Sequence, residues 1–595
     1  MPLIVQKFGG TSVADAEKIQ VAARRAIQAQ QQGNQVVVVV SAMGKQTDML
    51  VDLAGQLCED PPAREMDMLL STGEQVSVAL MAIAIHSLGH KAVSLTGGQI
   101  GIRTDSSHTK ARIQSISTGR MRQLLDDGNI IIAAGFQGID EAFNITTLGR
   151  GGSDTTAVAL AAVLEASVCE IYTDVDGVFT TDPRLVSEAR KMNQVSHDEM
   201  LELASLGAGV MHSRSIEFGK KFNVPIHIRN SAVFNDEMGT IVGPMPESEE
   251  RSVSGVALIK KEARITIRGV PDQPGTSLTI FLRLSEVNLA VDMIVQNVGA
   301  EGQADISFTV LDSDLREALQ AVEKAAAELG AQGITHDANV SKVSIVGLGM
   351  ATQTGVADRM FRALADTDVN IEAITTSQIK VSVLVEQEKA MDALLAVHRE
   401  FELEKPARAR VTYSDLATAE KRTDASTVVD RLQHMEELTI EGVVLDQSQA
   451  RVTMALVPDQ PGIVARIFEA VAAENVLVDM IVQSMGTDGH ANVSFTVPRK
   501  SVDQARSVVE KLAAELGGSI THEPEIDILS VFGIGIRSHT GVGTRTFQAL
   551  LEAGINAEMI NTSEIRLNVA VASGKGEAGL VALKEAFRDV LSEVD

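Results

Sequence analysis

The segment Val291-Asp292-Met293-Ile294-Val295-Gln296 recurs letter for letter at positions 478–483, and Pro271-Asp272-Gln273-Pro274-Gly275 returns as Pro458-Asp459-Gln460-Pro461-Gly462. Both copies lie 187 positions on, and Thr375-Thr376-Ser377-Gln378-Ile379-Lys380 reappears after 186 as Asn561-Thr562-Ser563-Glu564-Ile565-Arg566. A nearly constant offset means that the second half of the chain is one block used twice. Each block is itself twofold. Its first half reads strand, Asp-Gln-Pro-Gly turn, helix and two strands; its second opens on Gly347-Leu348-Gly349 or Gly533-Ile534-Gly535, followed by Thr-Gly-Val, a helix and an Asn-Ile strand. Four βαββαβ-like modules are expected, at 264–338, 339–403, 441–524 and 525–595, with a linker at 246–263 and a charged connector at 404–440. The Gly-x-Gly pairs do not complete a dinucleotide fingerprint, because Thr352 and Ser538 stand where its third glycine belongs.

Residues 1–245 follow another grammar. Short apolar runs (Leu3 to Val5, Val36 to Ser41, Ala92 to Leu95, Ile130 to Ala134, Val168 to Tyr172, Ile226 to Ile228) alternate with helical patterns such as Ala14 to Gln31 and Met66 to Leu88. The expected fold is α/β: a three-layer αβα domain with a mostly parallel central sheet, followed by the four modules. At 595 residues the chain holds several domains, and 45% apolar with 22% charged residues is a globular composition. A net charge of −27 argues against nucleic acid or an anionic membrane as partner. Two cysteines, Cys58 and Cys169, make no disulfide framework, and the N-terminus has no signal-peptide pattern, so a reducing cytoplasm is expected. No stretch is expected to reach transmembrane length.

In such sheets ligands bind beyond the carboxyl ends of the strands. Three motifs fall there. Gln6-Lys7-Phe8-Gly9-Gly10-Thr11-Ser12 leaves the first strand with a cation, hydroxyls and backbone donors. Leu148-Gly149-Arg150-Gly151-Gly152-Ser153-Asp154 precedes an apolar helix, an anion grip in which glycines admit close backbone approach, Arg150 offers a planar fork and Ser153 is expected to cap the helix. Tyr172-Thr173-Asp174-Val175-Asp176-Gly177-Val178-Phe179-Thr180-Thr181-Asp182-Pro183-Arg184 brings carboxylates, hydroxyls and a terminal arginine suited to framing a nucleotide and its metal. The spacing is neither that of a Walker loop nor that of an EF-hand, and no protein metal site is assigned.

These three motifs, in this order, resemble the amino-acid kinase family, specifically its aspartate kinases, and the modules resemble ACT domains. The resemblance implies phosphorylation of the side-chain carboxylate of L-aspartate by ATP, giving 4-phospho-L-aspartate, the first step toward lysine, threonine and methionine. A carboxylate is already anionic at neutral pH, so the reaction needs alignment and neutralisation of phosphate charge rather than an activated nucleophile. By resemblance, Lys7, Arg150 and Asp154 are catalytic. Lys7, Phe8, Gly9, Gly10, Thr173, Asp174, Phe179 and Arg184 bind ATP, with Mg2+ held mainly by the nucleotide phosphates. Thr47, Glu74, Arg150, Gly151, Gly152 and Ser153 bind aspartate, Glu74 taking its ammonium. Lysine, threonine or both are the implied effectors, at Asp272, Gly275, Asp292, Gln296, Asn297, Asp459, Gly462, Asp479 and Gln483, and a homo-oligomer joined through ACT modules is implied. Gly209 stands where some members carry a lysine, leaving Arg214 or Lys220 as substitute phosphate-side cations, and His212 is the one histidine considered for the site. Two other readings are a kinase of another carboxylate such as acetylglutamate, and a catalytically inactive amino-acid sensor; Glu74 argues against the first, and Lys7, Arg150 and Asp154 against the second.

Overall fold

The computed structural model describes the chain except residues 208–209, 233–237, 249–250, 288, 299–301, 407–434, 486–488, 538, 540 and 593–595. It divides into two units. The first comprises Met1–Phe179, Lys191–Ser248 and Ala407–Glu437, the second Thr180–Arg190, Glu249–Pro406 and Leu438–Asp595.

In the first unit the elements run β1 (Leu3–Phe8), α1 (Ala16–Gln31), β2 (Gln35–Val40), α2 (Gln46–Leu57), α3 (Ala63–Ser87), β3 (Ala92–Leu95), α4 (Gly97–Ile100), β4 (Ile102–Thr104), β5 (Ile113–Ile116), α5 (Gly119–Asp126) and β6 (Ile130–Ala134). They continue β7 (Gln137–Ile139), β8 (Ile145–Thr147), α6 (Gly152–Val163), β9 (Val168–Thr173), β10 (Gln194–Ser196), α7 (His197–Ser205), α8 (Ser213–Lys221), β11 (Ile226–Asn230) and β12 (Thr240–Gly243). Eight strands form one sheet in the order β10-β12-β11-β9-β1-β2-β6-β3. Within it only the β11/β12 pair is antiparallel. The valines of β2 are buried on both faces, as a central strand covered by two helix layers must be. A side sheet, β5-β4-β7-β8, has strands of three or four residues, too short for periodicity to announce.

Helix α3 departs from the expectation about transmembrane length: it is long and apolar enough to cross a bilayer. Half of its apolar window is buried, and its inner face carries the buried Asp67, Ser71 and Glu74, the pattern of a core helix with a polar task.

The second unit runs β13 (Gly255–Pro271), α9 (Thr276–Glu286), β14 (Asp292–Val298), β15 (Gln303–Leu311), α10 (Leu315–Leu329), β16 (Gly333–Val346), α11 (Val356–Ala365), β17 (Ala373–Ser377), β18 (Lys380–Glu386) and α12 (Ala390–Glu400). The second block repeats the series as β19 (Thr439–Pro458), α13 (Ile463–Ala473), β20 (Ile481–Met485), β21 (His490–Pro498), α14 (Val502–Leu516), β22 (Ser519–Ile534), α15 (Gly541–Glu552), β23 (Met559–Thr562), β24 (Arg566–Ala572) and α16 (Gly576–Ala586). All twelve strands form one sheet, ordered β14-β15-β13-β16-β18-β17-β20-β21-β19-β22-β24-β23.

The expected linker at 246–263 is a strand from Gly255 onward. Residues Gly255 to Ile259 pair with Val346 to Lys342 in the second module, whereas Ile265 to Arg268 pair with His336 to Gly333 in the first. A register shift between Ile259 and Glu262 lets one strand serve both modules. The second block does the same: Thr439 to Asp446, where the connector was expected to end, pair with Ile534 to Ile528 of the fourth module. The rest of that connector, 407–434, lies outside the described residues.

The modules also share cores crosswise. One apolar cluster joins the second and third modules through Phe361, Phe468 and Phe495; another joins the first and fourth through Phe281, Phe308 and Phe547.

Candidate active site

Lys7 near the end of β1 and Asp154 in the first turn of α6 meet in an ion pair of 2.5 Å, with side chains 11% and 13% exposed. The Lys7 ammonium is thereby fixed just below the Gly9-Gly10 turn. A β-carbon on Gly10 would stand 2.8 Å from the Ala42 carbonyl oxygen, so the close passage of this turn past the end of β2 requires glycine. Phe8 stacks on Tyr172 of β9 at 4.7 Å, tying together two of the strand ends that carry motifs.

The loop before α6 adopts a tighter form than its sequence suggests. Gly151 is the N-cap, in the left-handed region at φ 74°, and a β-carbon there would fall 2.3 Å from the His212 β-carbon. Ser153 therefore does not cap the helix as expected: it lies inside the first turn, buried, after Gly152. His212 itself packs against the loop and caps α8, accepting from the Arg214 backbone N–H; burial lowers its pKa. The Arg150 side chain is exposed and has no ion-pair partner among the described residues, which leaves its guanidinium open to an incoming carboxylate.

Glu74 is buried on α3. One carboxylate oxygen accepts the Ala42 backbone N–H at 3.1 Å, and the other is buried with no hydrogen bond. Burial pushes its pKa up to about 7, against the opposing pull of the backbone hydrogen bonds. A buried carboxylate with one unused oxygen gains more than an exposed one from an arriving ammonium. Thr47, in the first turn of α2, is half-buried. Thr173 ends β9 and donates to the Asp174 carboxylate at 3.3 Å; Asp174 is exposed and Phe179 half-buried. Arg184 belongs to the second unit, where its exposed guanidinium forks onto Asp182 at 2.7 Å.

Neither substitute cation stands idle. The Arg214 guanidinium donates to the Leu148 carbonyl, to the Ala111 carbonyl at 3.0 Å and to the Glu436 carboxylate at 2.5 Å; Lys220 pairs with Asp198 at 2.9 Å. Gly209 lies outside the described residues.

Two positioning groups escaped the sequence. Asp67, fully buried one heptad before Glu74, accepts from Thr147 Oγ1 at 2.5 Å, from the Thr109 N–H at 3.0 Å, and pairs with His108 Nδ1 at 2.6 Å. It anchors the strand that leads into the glycine-rich loop. Glu436, at the far end of the connector, pairs with Arg214, which also donates to the Leu148 carbonyl at the start of that loop, and the Glu436 N–H binds the Ile113 carbonyl. The only sequence signal for Asp67 is its i, i+7 relation to Glu74 on one helix face.

Of the expected effector residues, Asp292 and Asp479 each line a cavity in the second unit. Asp272, Gly275, Gln296, Asp459, Gly462 and Gln483 line neither. Asp272 accepts from Asn556 at 2.8 Å and Asp459 from Asn370 at 2.9 Å, equivalent bonds that join first to fourth and third to second module. Gln296 reaches Asp272, Gln483 donates to the Ile371 carbonyl at 2.8 Å, and the Asn297 side chain lies outside the described residues.

The model of the amino acid kinase family matches residues 2–230, and that of the ACT domain matches 265–326, 343–401, 455–512 and 529–587. An aspartate kinase of Stutzerimonas stutzeri is 50% identical over 409 residues, 68% of this chain and 99% of that protein. A crystal structure of aspartate kinase from Synechocystis, 39% identical, is covered to 99% and covers all of this chain, with a TM-score of 0.52. The structure of E. coli aspartokinase III in complex with aspartate and ADP, 24% identical, covers 67% of this chain with a TM-score of 0.57.

Proposed function

The chain belongs to the aspartate kinase family, and on that footing we propose how its site transfers the γ-phosphoryl group of ATP to the side-chain carboxylate of L-aspartate, giving 4-phospho-L-aspartate and ADP. The observations that carry the proposal are the fixed Lys7–Asp154 pair, an exposed Arg150 with no ion pair among the described residues, and a buried Glu74 with one unused oxygen. Glu74 receives the substrate ammonium and Arg150 its α-carboxylate, with Ser153, the Gly151 and Gly152 backbone and Thr47 completing the hold. Two charged contacts on opposite ends of a small substrate orient the remaining carboxylate, and orientation is most of what phosphoryl transfer to an existing anion requires.

Lys7, held in line by Asp154, and the amides of Gly9 and Gly10 offset phosphate charge; Phe8, Thr173, Asp174 and Phe179 frame the nucleotide. Arg184, proposed with them, holds an exposed ion pair with Asp182 that a phosphate could replace. Mg2+ would be held mainly by the ATP phosphates, and it would supply charge neutralisation of the transferring group. The product is the branch-point acyl phosphate of lysine, threonine and methionine synthesis, and lysine and threonine are the proposed effectors, bound within the ACT modules.

The setting proposed is the cytoplasm, consistent with a buried Cys169 and an exposed Cys58, both reduced. A homo-oligomer is proposed, joined through the ACT modules and with a further surface on the first unit. The exposed stripe Val76, Leu80 and Ile83 at i, i+4, i+7 on α3 supports that surface.

Incubation with ATP, Mg2+ and L-aspartate in hydroxylamine should accumulate aspartyl hydroxamate. No hydroxamate would refute the assignment, and hydroxamate from N-acetylglutamate alone would move it to another carboxylate kinase.

A further inference from the structure

The division of the chain into two units runs through the third motif. Phe179 and Lys191 pair in an antiparallel bridge within the first unit, where the Val178 N–H donates to Thr240 Oγ1 and the Met192 N–H to the Val178 carbonyl, both at 2.8 Å. The residues that this bridge encloses, Thr180–Arg190, belong to the second unit. Val186 is buried in the apolar cluster of the second and third modules, with Leu185 and Ala189 packed against it. The hairpin that carries Arg184 therefore closes at its base among catalytic elements and seats its tip in a regulatory core.

Thr180, fully buried, fixes the tip to the second module. Its carbonyl accepts the Val256 N–H of β13 at 2.8 Å, and its hydroxyl accepts the Arg190 N–H at 3.0 Å and is hydrogen-bonded to His398 Nε2 at 3.2 Å. His398 is itself buried, on α12. Beyond Thr180, the Asp182 carbonyl accepts the N–H groups of Leu185 and Val186, each at 3.0 Å, and the Asp182 carboxylate holds Arg184 at 2.7 Å. The seating of Val186 thus decides where Arg184 is presented. The fourth module, built on the same plan, meets a different segment: at the corresponding start of β19, Ile440 pairs with Leu591, and Lys584 stands at the position of His398, 186 residues on. A buried imidazole that bonds to a hydroxyl 218 residues away is more than the module's own fold calls for.

We propose that His398 is a positioning residue for ATP: by holding Thr180 it seats the 180–190 hairpin, and so places Arg184 and the segment leading to it where the nucleotide phosphates require them. One regulatory module thereby carries part of the nucleotide-binding motif. This inference rests on the reading of Thr173, Asp174, Phe179 and Arg184 as the frame of the nucleotide.

The test is initial-rate kinetics of the full-length protein, with ATP varied at saturating aspartate and aspartate varied at saturating ATP. His398→Leu keeps the volume and removes the hydrogen bond; His398→Gln can return an amide to the place of Nε2. His398→Leu and Thr180→Val should each raise KM for ATP about three- to tenfold while KM for aspartate stays within about twofold, which also certifies the fold. His398→Gln should stay within about twofold of the parent, and the double variant His398→Leu/Thr180→Val should exceed neither single variant by more than about twofold, because both remove one bond. An unchanged KM for ATP in His398→Leu, with a raised one in Arg184→Ala, overturns the proposal and leaves the nucleotide frame intact. Equal rises in KM for ATP and for aspartate, or effects of His398→Leu and Thr180→Val that multiply in the double variant, overturn the positioning role as well. An unchanged KM for ATP in both Arg184→Ala and His398→Leu overturns the reading of the motif as a nucleotide frame and the proposal with it.

Discussion

Replacing Glu74 with glutamine separates the charge of this residue from its shape. With a pKa of about 7, the carboxyl is roughly one-tenth ionised at pH 6 and nine-tenths ionised at pH 8. Only the ionised form accepts the substrate ammonium, so KM for aspartate should fall about tenfold across that range. At saturating aspartate the bound ammonium keeps Glu74 ionised, and kcat should stay nearly flat. Glu74→Gln removes a charge-assisted contact of about 1.5–3 kcal/mol, raising KM roughly 10- to 100-fold and abolishing the slope. His197 and His227, both held at about 4 by burial, do not titrate in this window. Stability should move the other way. A carboxyl whose folded value is raised from 4.5 to about 7 contributes fully below pH 4.5 and loses that contribution as pH rises through 7. At pH 8 the variant should therefore be more stable, by on the order of 3 kcal/mol, with the gain shrinking toward pH 5. Initial rates at fixed Mg2+ and ATP from pH 6 to 8, with urea titrations at both ends, measure both effects. A KM slope equally steep in the variant, or flat in the parent, would refute the assignment of Glu74.

Asp154→Asn should lower kcat about 100-fold while lysine still binds, because the cation it positions acts on the transferring phosphoryl group; turnover within twofold of the parent would remove Asp154 from the machinery. Asp67→Ala breaks three hydrogen-bonded contacts at a fully buried carboxylate and should cost about 2–4 kcal/mol in chemical denaturation, together with a raised KM for aspartate. A loss under about 0.5 kcal/mol would contradict its anchoring role. Gly151→Ala places a β-carbon against His212 at a left-handed position and should depress kcat/KM at least about tenfold; wild-type kinetics would show that the loop is free to shift.

The sheet of the first unit was legible because its strands are buried on both faces: the valines of β2 and the isoleucines of β6 read as apolar runs whatever the helices around them do. The duplication was legible because identical hexapeptides need no physics to be seen. What escaped depends on contacts far apart in sequence. Arg214 reads as a candidate phosphate cation in the sequence because Glu436, which holds it, lies 222 residues away. Asp67 gives no local signal of its role, since its partners Thr147 and His108 lie on other elements. The 246–263 linker carries acidic and proline-rich residues at its start, which masked the alternation beginning at Gly255, and no local signal tells one strand to serve two modules. Ser153 reads as a cap in the sequence because a serine before a helical pattern usually is one; Gly151, in the left-handed conformation, starts the helix earlier.

The central claim is that the side-chain carboxylate of aspartate itself attacks the γ-phosphorus. Aspartate labelled with 18O in its side-chain carboxylate, incubated with ATP, Mg2+ and the enzyme and followed by 31P NMR, tests it directly. The account predicts an acyl phosphate whose phosphorus signal carries the isotope shift of a bridging 18O, absent in Asp154→Asn over the same time. An acyl phosphate with no isotope shift, or transfer to another acceptor, would contradict it.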